Sequence, residues 1–179
     1  MAFGRWYKRW RHSRGFGVHS PLAYAVVMEA LRPQHGYAYH AELDARLGGG
    51  IIPHERARQI VRLAAFVDAR IANISAVTDQ RRRTALRDIL RAYYRDIRFV
   101  SDTADIIITE SETLPALPAG GDKPTLLLAM GLDKPTYRQA MEQALRPLVA
   151  DAITIDNVCN SAVTIFRRSL PRQTIEVAF

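Results

Sequence analysis

This sequence predicts a three-layer α/β domain with a mostly parallel sheet and an antiparallel C-terminal end. Three observations carry that expectation. Helical apolar spacing alternates with short aliphatic runs from Pro53 to Leu148. Thr125–Met130 is apolar throughout, as a strand buried on both faces must be. The last stretch holds three short strand-like runs separated by tight turns, which reads as a meander.

A chain of 179 residues suffices for one domain with a full core. Its 48% apolar and 24% charged content is ordinary for a globular protein. No apolar run approaches the ~20 residues that span a bilayer. No apolar segment follows the charged start, so no signal peptide is expected. A single cysteine, Cys159, excludes an internal disulfide and a cysteine-cluster metal site. A cytoplasmic setting fits these features.

Residues 1–19 form a basic, aromatic arm, and 20–179 the domain. Arg5, Lys8, Arg9, Arg11 and Arg14 all precede the first acid, Glu29, and the net charge is +7. Phe3, Trp6, Tyr7 and Trp10 are interleaved with them. Such a segment can dock on an anionic partner, nucleic acid or an anionic membrane face. It can equally pack its rings on the domain or on a second copy in a homo-oligomer.

Ser20-Pro21 starts a helix by capping and by proline at its first position. Leu22, Ala25, Val26 and Ala30 follow at helical spacing, and Pro33 stops it. Gly48-Gly49-Gly50 reads as a linker. Pro53–Val67 is an amphipathic helix with Ala57, Ile60, Val61, Ala64 and Val67 on one face. Ile71–Val77 is a central strand, Val77–Gln80 the turn after it, and Gln80–Tyr94 the next helix. Arg83, Arg87, Arg91 and Arg95 make a ridge on that helix, either a solvated face paired with acids such as Asp88 or a phosphate grip.

Ile97–Val100 and Ala104–Thr109 are strand-like, with only Ser101-Asp102-Thr103 between them. Parallel neighbours need a crossover of a dozen or more residues. The spacing therefore predicts a hairpin or one interrupted strand, and a missing strand-helix unit. Residues 111–124 are loop, and Asp133-Lys134-Pro135 opens a helix to about Leu148. Ala152–Asp156, Ala162–Arg167 and Gln173–Phe179 close the chain.

Two end motifs carry a resemblance. Gly15-Phe16-Gly17-Val18-His19-Ser20-Pro21-Leu22 resembles the Gly-Val-His-Ser-Pro-Phe start of a methyltransferase-like group found in Bacteroidetes. Phe166-Arg167-Arg168-Ser169-Leu170-Pro171-Arg172-Gln173 is similar to that group's closing Phe-Phe-Arg-Lys-Asp-Leu-Pro-Lys-Gln. The order of elements is similar to class I methyltransferases that use S-adenosylmethionine. The resemblance implies a Rossmann-like sheet and that cofactor, with the methyl acceptor left open.

Residue by residue, the implied site is degenerate. Asn73 to Thr78 stand where the group has an acid and a Gly-x-Gly turn. Asp102 is the nearest counterpart of the acid that holds the ribose. Glu110 keeps a carboxylate where related proteins place Asp-Gly, and Ala129-Met130-Gly131 has none. The cofactor contacts implied are Ser75, Thr78, Asp102 and Glu110. A side chain at a glycine position blocks close backbone approach. Losing one bidentate acid costs about 2–4 kcal/mol, or roughly 30- to 1000-fold in affinity. An impaired site is therefore expected.

The five histidines, His12, His19, His35, His40 and His54, show no metal-ligand spacing, and no metal is expected. His19 is either a group near the cofactor mouth or a buried ring at the helix start. Cys159 lacks any neighbour pattern that argues for a thiolate. Besides methyl transfer, which needs positioning more than acid-base groups, the composition allows a non-catalytic scaffold or a nucleic-acid binder acting through the arm.

Overall fold

The computed structural model describes residues 2–14, 18, 20–32, 41, 43, 50–112, 114–117, 121–147, 151–156, 158 and 160–177. His19, His35, His40, Gly48, Gly49 and Cys159 lie outside them. The elements in order are α1 (Ala2–Ser13), α2 (Pro21–Ala25), a π-helical turn (Val26–Leu31), α3 (His54–Phe66) and β1 (Ile71–Asn73). Then come α4 (Gln80–Tyr93), β2 (Arg98–Val100), β3 (Ile106–Thr109), β4 (Thr125–Met130) and α5 (Pro135–Leu145). β5 (Ala152–Asp156), β6 (Ser161–Phe166) and β7 (Gln173–Glu176) end the fold.

The seven strands form one mixed sheet in the order β2-β1-β3-β4-β6-β5-β7. β1 runs parallel to β2 and β3, and β3 to β4. β6 is antiparallel to both β4 and β5. Helices cover both faces. Ile106, Ile108, Leu126, Leu128, Val163 and Ile165 turn to one side, where α2, α3 and α4 bury their apolar stripes. Alternate residues, among them Ala129 and Ala162, meet Tyr137 and Met141 of α5 on the other.

Local signals explain most of the elements. Ser20 Oγ accepts from Ala23 N at 3.3 Å, and Pro21 opens α2. Asp79 Oδ1 accepts from Arg81 N at 2.7 Å and Arg82 N at 3.3 Å, capping α4. Pro135 occupies the first turn of α5, behind Lys134 rather than Asp133 as cap.

Three expectations fail in the sheet. β1 ends at Asn73, not Val77, because the Asn73 side chain turns the chain: its Oδ1 accepts from Ser75 N at 3.0 Å and Ser75 Oγ at 2.7 Å. The β2–β3 segment is neither a hairpin nor one interrupted strand. The two strands flank β1, each parallel to it. Residues 101–105 cross one face of β1, and the strand is so short that no helix is needed to return. Asp105 Oδ2 accepts from Arg70 N and Ile71 N, each at 2.9 Å, and Ala104 is buried against Ile107 and Leu127.

The C-terminal strands are also no meander. β7 pairs with β5, in parallel, instead of with β6. The chain after β6 wraps round the start of β5, where Asp151 sits at φ 70°. Asp151 O accepts from Arg167 N at 3.0 Å, and Asp151 N donates to Leu170 O at 3.0 Å. That wrap delivers β7 to the outer side of β5.

Candidate functional site

In open α/β sheets the binding crevice lies at the carboxyl ends of the parallel strands. Here that end is built from the 74–79 turn after β1, Glu110 after β3 and Gly131 after β4. Gly131 has φ 78°, so glycine suits this turn. Glu110 N donates to Ala76 O at 3.4 Å, which ties the end of β3 to the turn.

Several of the turn's backbone groups are engaged within the protein. Ser75 N is held by Asn73, and Val77 N donates to Ile74 O at 3.2 Å. Arg83 donates twice to Val77 O, from Nε at 2.8 Å and from Nη2 at 2.6 Å. The donors at the start of α4 are taken by Asp79. A helix N-terminus that would attract an anion is thus occupied by a side chain of the protein itself.

Glu110 faces Arg82 at 2.8 Å, its side chain only 11% exposed. Burial pushes its carboxyl above the ordinary 4.5, assisted by Asp79 and opposed by Arg82, Arg56 and Lys134. Behind it, Tyr137 OH donates to Thr109 O at 3.1 Å. Burial pushes that phenol up to about 12, against the hydrogen bond to Thr109 and with the charge of Glu110. Tyr137 is therefore a fixed donor, not a base near neutral pH. Arg56, from the first turn of α3, donates to Ser161 Oγ at 2.7 Å and contacts Gln59.

Of the four residues singled out in the sequence, Glu110 is tied by its N–H to the carbonyl of Ala76, the neighbour of Ser75, while Ser75 itself bonds Asn73. Thr78 is exposed on the turn. Asp102 does not join them. Asn73 Nδ2 donates to Asp102 O at 2.8 Å, which holds that residue on the crossover over β1, its side chain exposed. Sequence reasoning missed Arg82, Arg56 and Tyr137. Single residues in the first turn of a helix carry no spacing signal that would find them.

Two cavities bounded by described residues lie elsewhere. One, of about 490 Å³, sits between α5 and the β5–β7 edge, with the ion pair Arg138–Asp156 (2.7 Å), Arg146 and Arg172 on its walls. The other lies among α3, α4 and the π-helical turn. Among the described residues no cluster of three or more His, Cys, Asp or Glu could hold a metal. None of the described helices is long and apolar enough to cross a membrane.

Three arginines of the ridge on α4 contact the protein itself. Arg83 binds the turn, and Arg87 and Arg91 lie 5.2 and 5.4 Å from the Phe99 ring centroid. Comparison with protein-family models, with curated proteins and with solved structures finds no match for the chain.

Proposed function

We infer that the chain is a methyltransferase-like domain whose S-adenosylmethionine site is impaired. The sheet supports the first half of this reading. A doubly wound sheet has the order 3-2-1-4-5. The order β2-β1-β3-β4 matches it with the third strand left out and a five-residue crossover in its stead. One observation carries the second half: the N–H groups of Ser75 and Val77 in the turn, and of Arg81 and Arg82 at the start of α4, are already bonded within the protein. A cofactor held by backbone approach at that turn would have to break those bonds. Asp102, the candidate for the ribose hydroxyls, is drawn away over β1. The residues present do not fit the cofactor.

Thermal unfolding with S-adenosylmethionine, and separately with its demethylated product, tests this. A ligand at 100 times its dissociation constant adds about 2.7 kcal/mol of stability. The expected result is no shift at millimolar ligand. A saturable rise in Tm overturns the reading and restores the enzyme.

A second reading is favoured by α1. Lys8 and Arg11 are exposed on this helix, and Arg14, exposed just after it, stacks on Trp10 with its guanidinium 4.2 Å from the ring centroid. This basic, aromatic surface suits a non-catalytic module that contacts an anionic partner such as nucleic acid. Oligonucleotide binding that weakens steeply with salt supports it. Binding that ignores salt removes it.

A further inference from the structure

The second cavity holds an ionic group that the fold does not explain. Arg62, on α3, is only 6% exposed. Its Nε donates to Ala30 O at 2.7 Å, close to the end of the π-helical turn. That bond satisfies a helix-end carbonyl and needs one donor; a guanidinium has five. Nη1 is buried with no partner. Among the described residues no carboxylate pairs with Arg62. A buried cation without a counter-charge is expensive, so a merely structural cap at this position would be served better by a neutral donor.

The space beside Arg62 is a cavity of about 430 Å³ walled by Ala65 and Phe66 of α3 and by Tyr93 and Tyr94. Tyr94 is fixed there, its hydroxyl donating to Val61 O at 2.9 Å. The volume falls within the range of small-molecule sites, which set a few polar groups in a mostly apolar wall, and Arg62 is the cation of this lining. Glu29 stands at the rim, exposed. Its charge disfavours a dianion, while the single buried cation matches one negative charge.

We propose that this cavity binds a small organic monocarboxylate with an apolar body, its carboxylate on Arg62 and its hydrocarbon or ring against Phe66, Tyr93 and Tyr94. The site is remote from the 74–79 turn. α3 and α4 run into the starts of β1 and β2, so the cavity lies at the opposite end of the sheet. The inference does not depend on the methyltransferase-like reading.

Octanoate and phenylacetate serve as probes, with octanol and 2-phenylethanol as uncharged controls, read by calorimetry and thermal shift on the full chain. The acids are expected to bind saturably and raise Tm; the alcohols bind about tenfold or more weakly, as when a charge-assisted hydrogen bond is lost. Arg62→Met is expected to erase the preference for acid over alcohol. Should that variant not fold, Ala65→Phe decides: Ala65 is exposed at the cavity wall, and the larger ring fills the space and abolishes binding of both acids. No binding by either acid, equal binding of acid and alcohol, or full binding in Ala65→Phe overturns the proposal. So does a fall in Tm on Glu29→Gln without any acid binding, because Glu29 is then the counter-ion of Arg62.

Discussion

Glu110 Oε1 lies 2.8 Å from Arg82 Nη2, joining the end of β3 to the first turn of α4. The contact is charge against charge with poor alignment, for Glu110 Oε1 makes no hydrogen bond. Attraction and desolvation nearly cancel in such pairs. Together with the Ala76–Glu110 backbone bond, it ties the end of β3 to the turn and helix that follow β1.

Burial outweighs Arg82 at this carboxyl and raises it above 4.5. The unfolded chain therefore ionises first as pH rises. The stability contributed by Glu110 is complete below pH 4.5 and is lost as pH climbs through the raised folded value. Glu110→Gln is expected to keep or raise Tm at pH 7 and to flatten Tm against pH above 4.5. Thermal unfolding across pH 4 to 8 checks it; an unchanged slope, or a large drop at neutral pH, goes against the assignment.

Asp105 behaves oppositely. Burial pushes its carboxyl up, but Lys123 at 2.9 Å and the N–H groups of Arg70 and Ile71 more than offset that, holding it below 3.8. Its contribution is present above pH 3.8 and disappears as pH falls through the lower folded value. Asp105→Ala leaves two backbone donors without their acceptor and is expected to cost about 2–3 kcal/mol at pH 7. Asp105→Asn, which keeps an acceptor, costs less, and Lys123→Met, at a half-exposed position, least. Denaturant unfolding ranks the three.

The contrast between those two carboxylates also marks what a sequence can reveal. The apolar spacing of Ala57, Ile60, Val61 and Ala64 foretells α3, and the run Thr125–Met130 foretells β4, because both patterns are local. The places of β2, β3 and β7 are not local. β2 and β3 flank β1 because β1 spans only three residues, so that five can cross it. β7 reaches β5 because Asp151 adopts a positive φ and gathers the 167–170 turn around itself. Neither fact leaves a trace in periodicity. At the candidate site, Ser75 follows β1 and Glu110 follows β3, positions that a strand pattern can point to. Asp102 lies on the 101–105 crossover, whose path no local pattern foretells. Arg82 and Arg62 sit at helix positions where an arginine ordinarily means solvent.

Asn73 is fully buried, with its amide on Asp102 O and its carbonyl oxygen on Ser75. It ends β1 and opens the 74–79 turn. Asn73→Asp keeps the acceptor for Ser75 but loses the donor to Asp102, and it buries a charge opposite a carbonyl. The expected loss is about 2–4 kcal/mol, with no gain in S-adenosylmethionine binding. Asn73→Ala is expected to cost at least ~1–3 kcal/mol through the unsatisfied Ser75 and Asp102 groups. A stable Asn73→Asp protein that binds the cofactor contradicts both the bonding scheme and the impaired-site reading.

The helix α1 closes one edge of the sheet. β7 has β5 on one side only. Val177 N donates to Asp156 O at 3.1 Å, so the neighbouring Glu176 directs its backbone outward. There the Glu176 carbonyl meets His12 Nδ1 at 2.9 Å, while its carboxylate holds Arg9 Nε at 2.7 Å. The ion pair is 35% and 49% exposed, so it contributes under about 1 kcal/mol. The value of α1 is then as a cover over the outward-facing backbone of the β7 edge. Removing residues 2–14 is expected to lower stability by no more than ~1–2 kcal/mol, in line with that weak contact, yet to promote association of the bared β7 edge. Sedimentation at rising concentration reads the second effect and denaturant unfolding the first. A truncated protein that unfolds outright makes α1 part of the core, and one that stays monomeric at every concentration shows that the edge needs no cover.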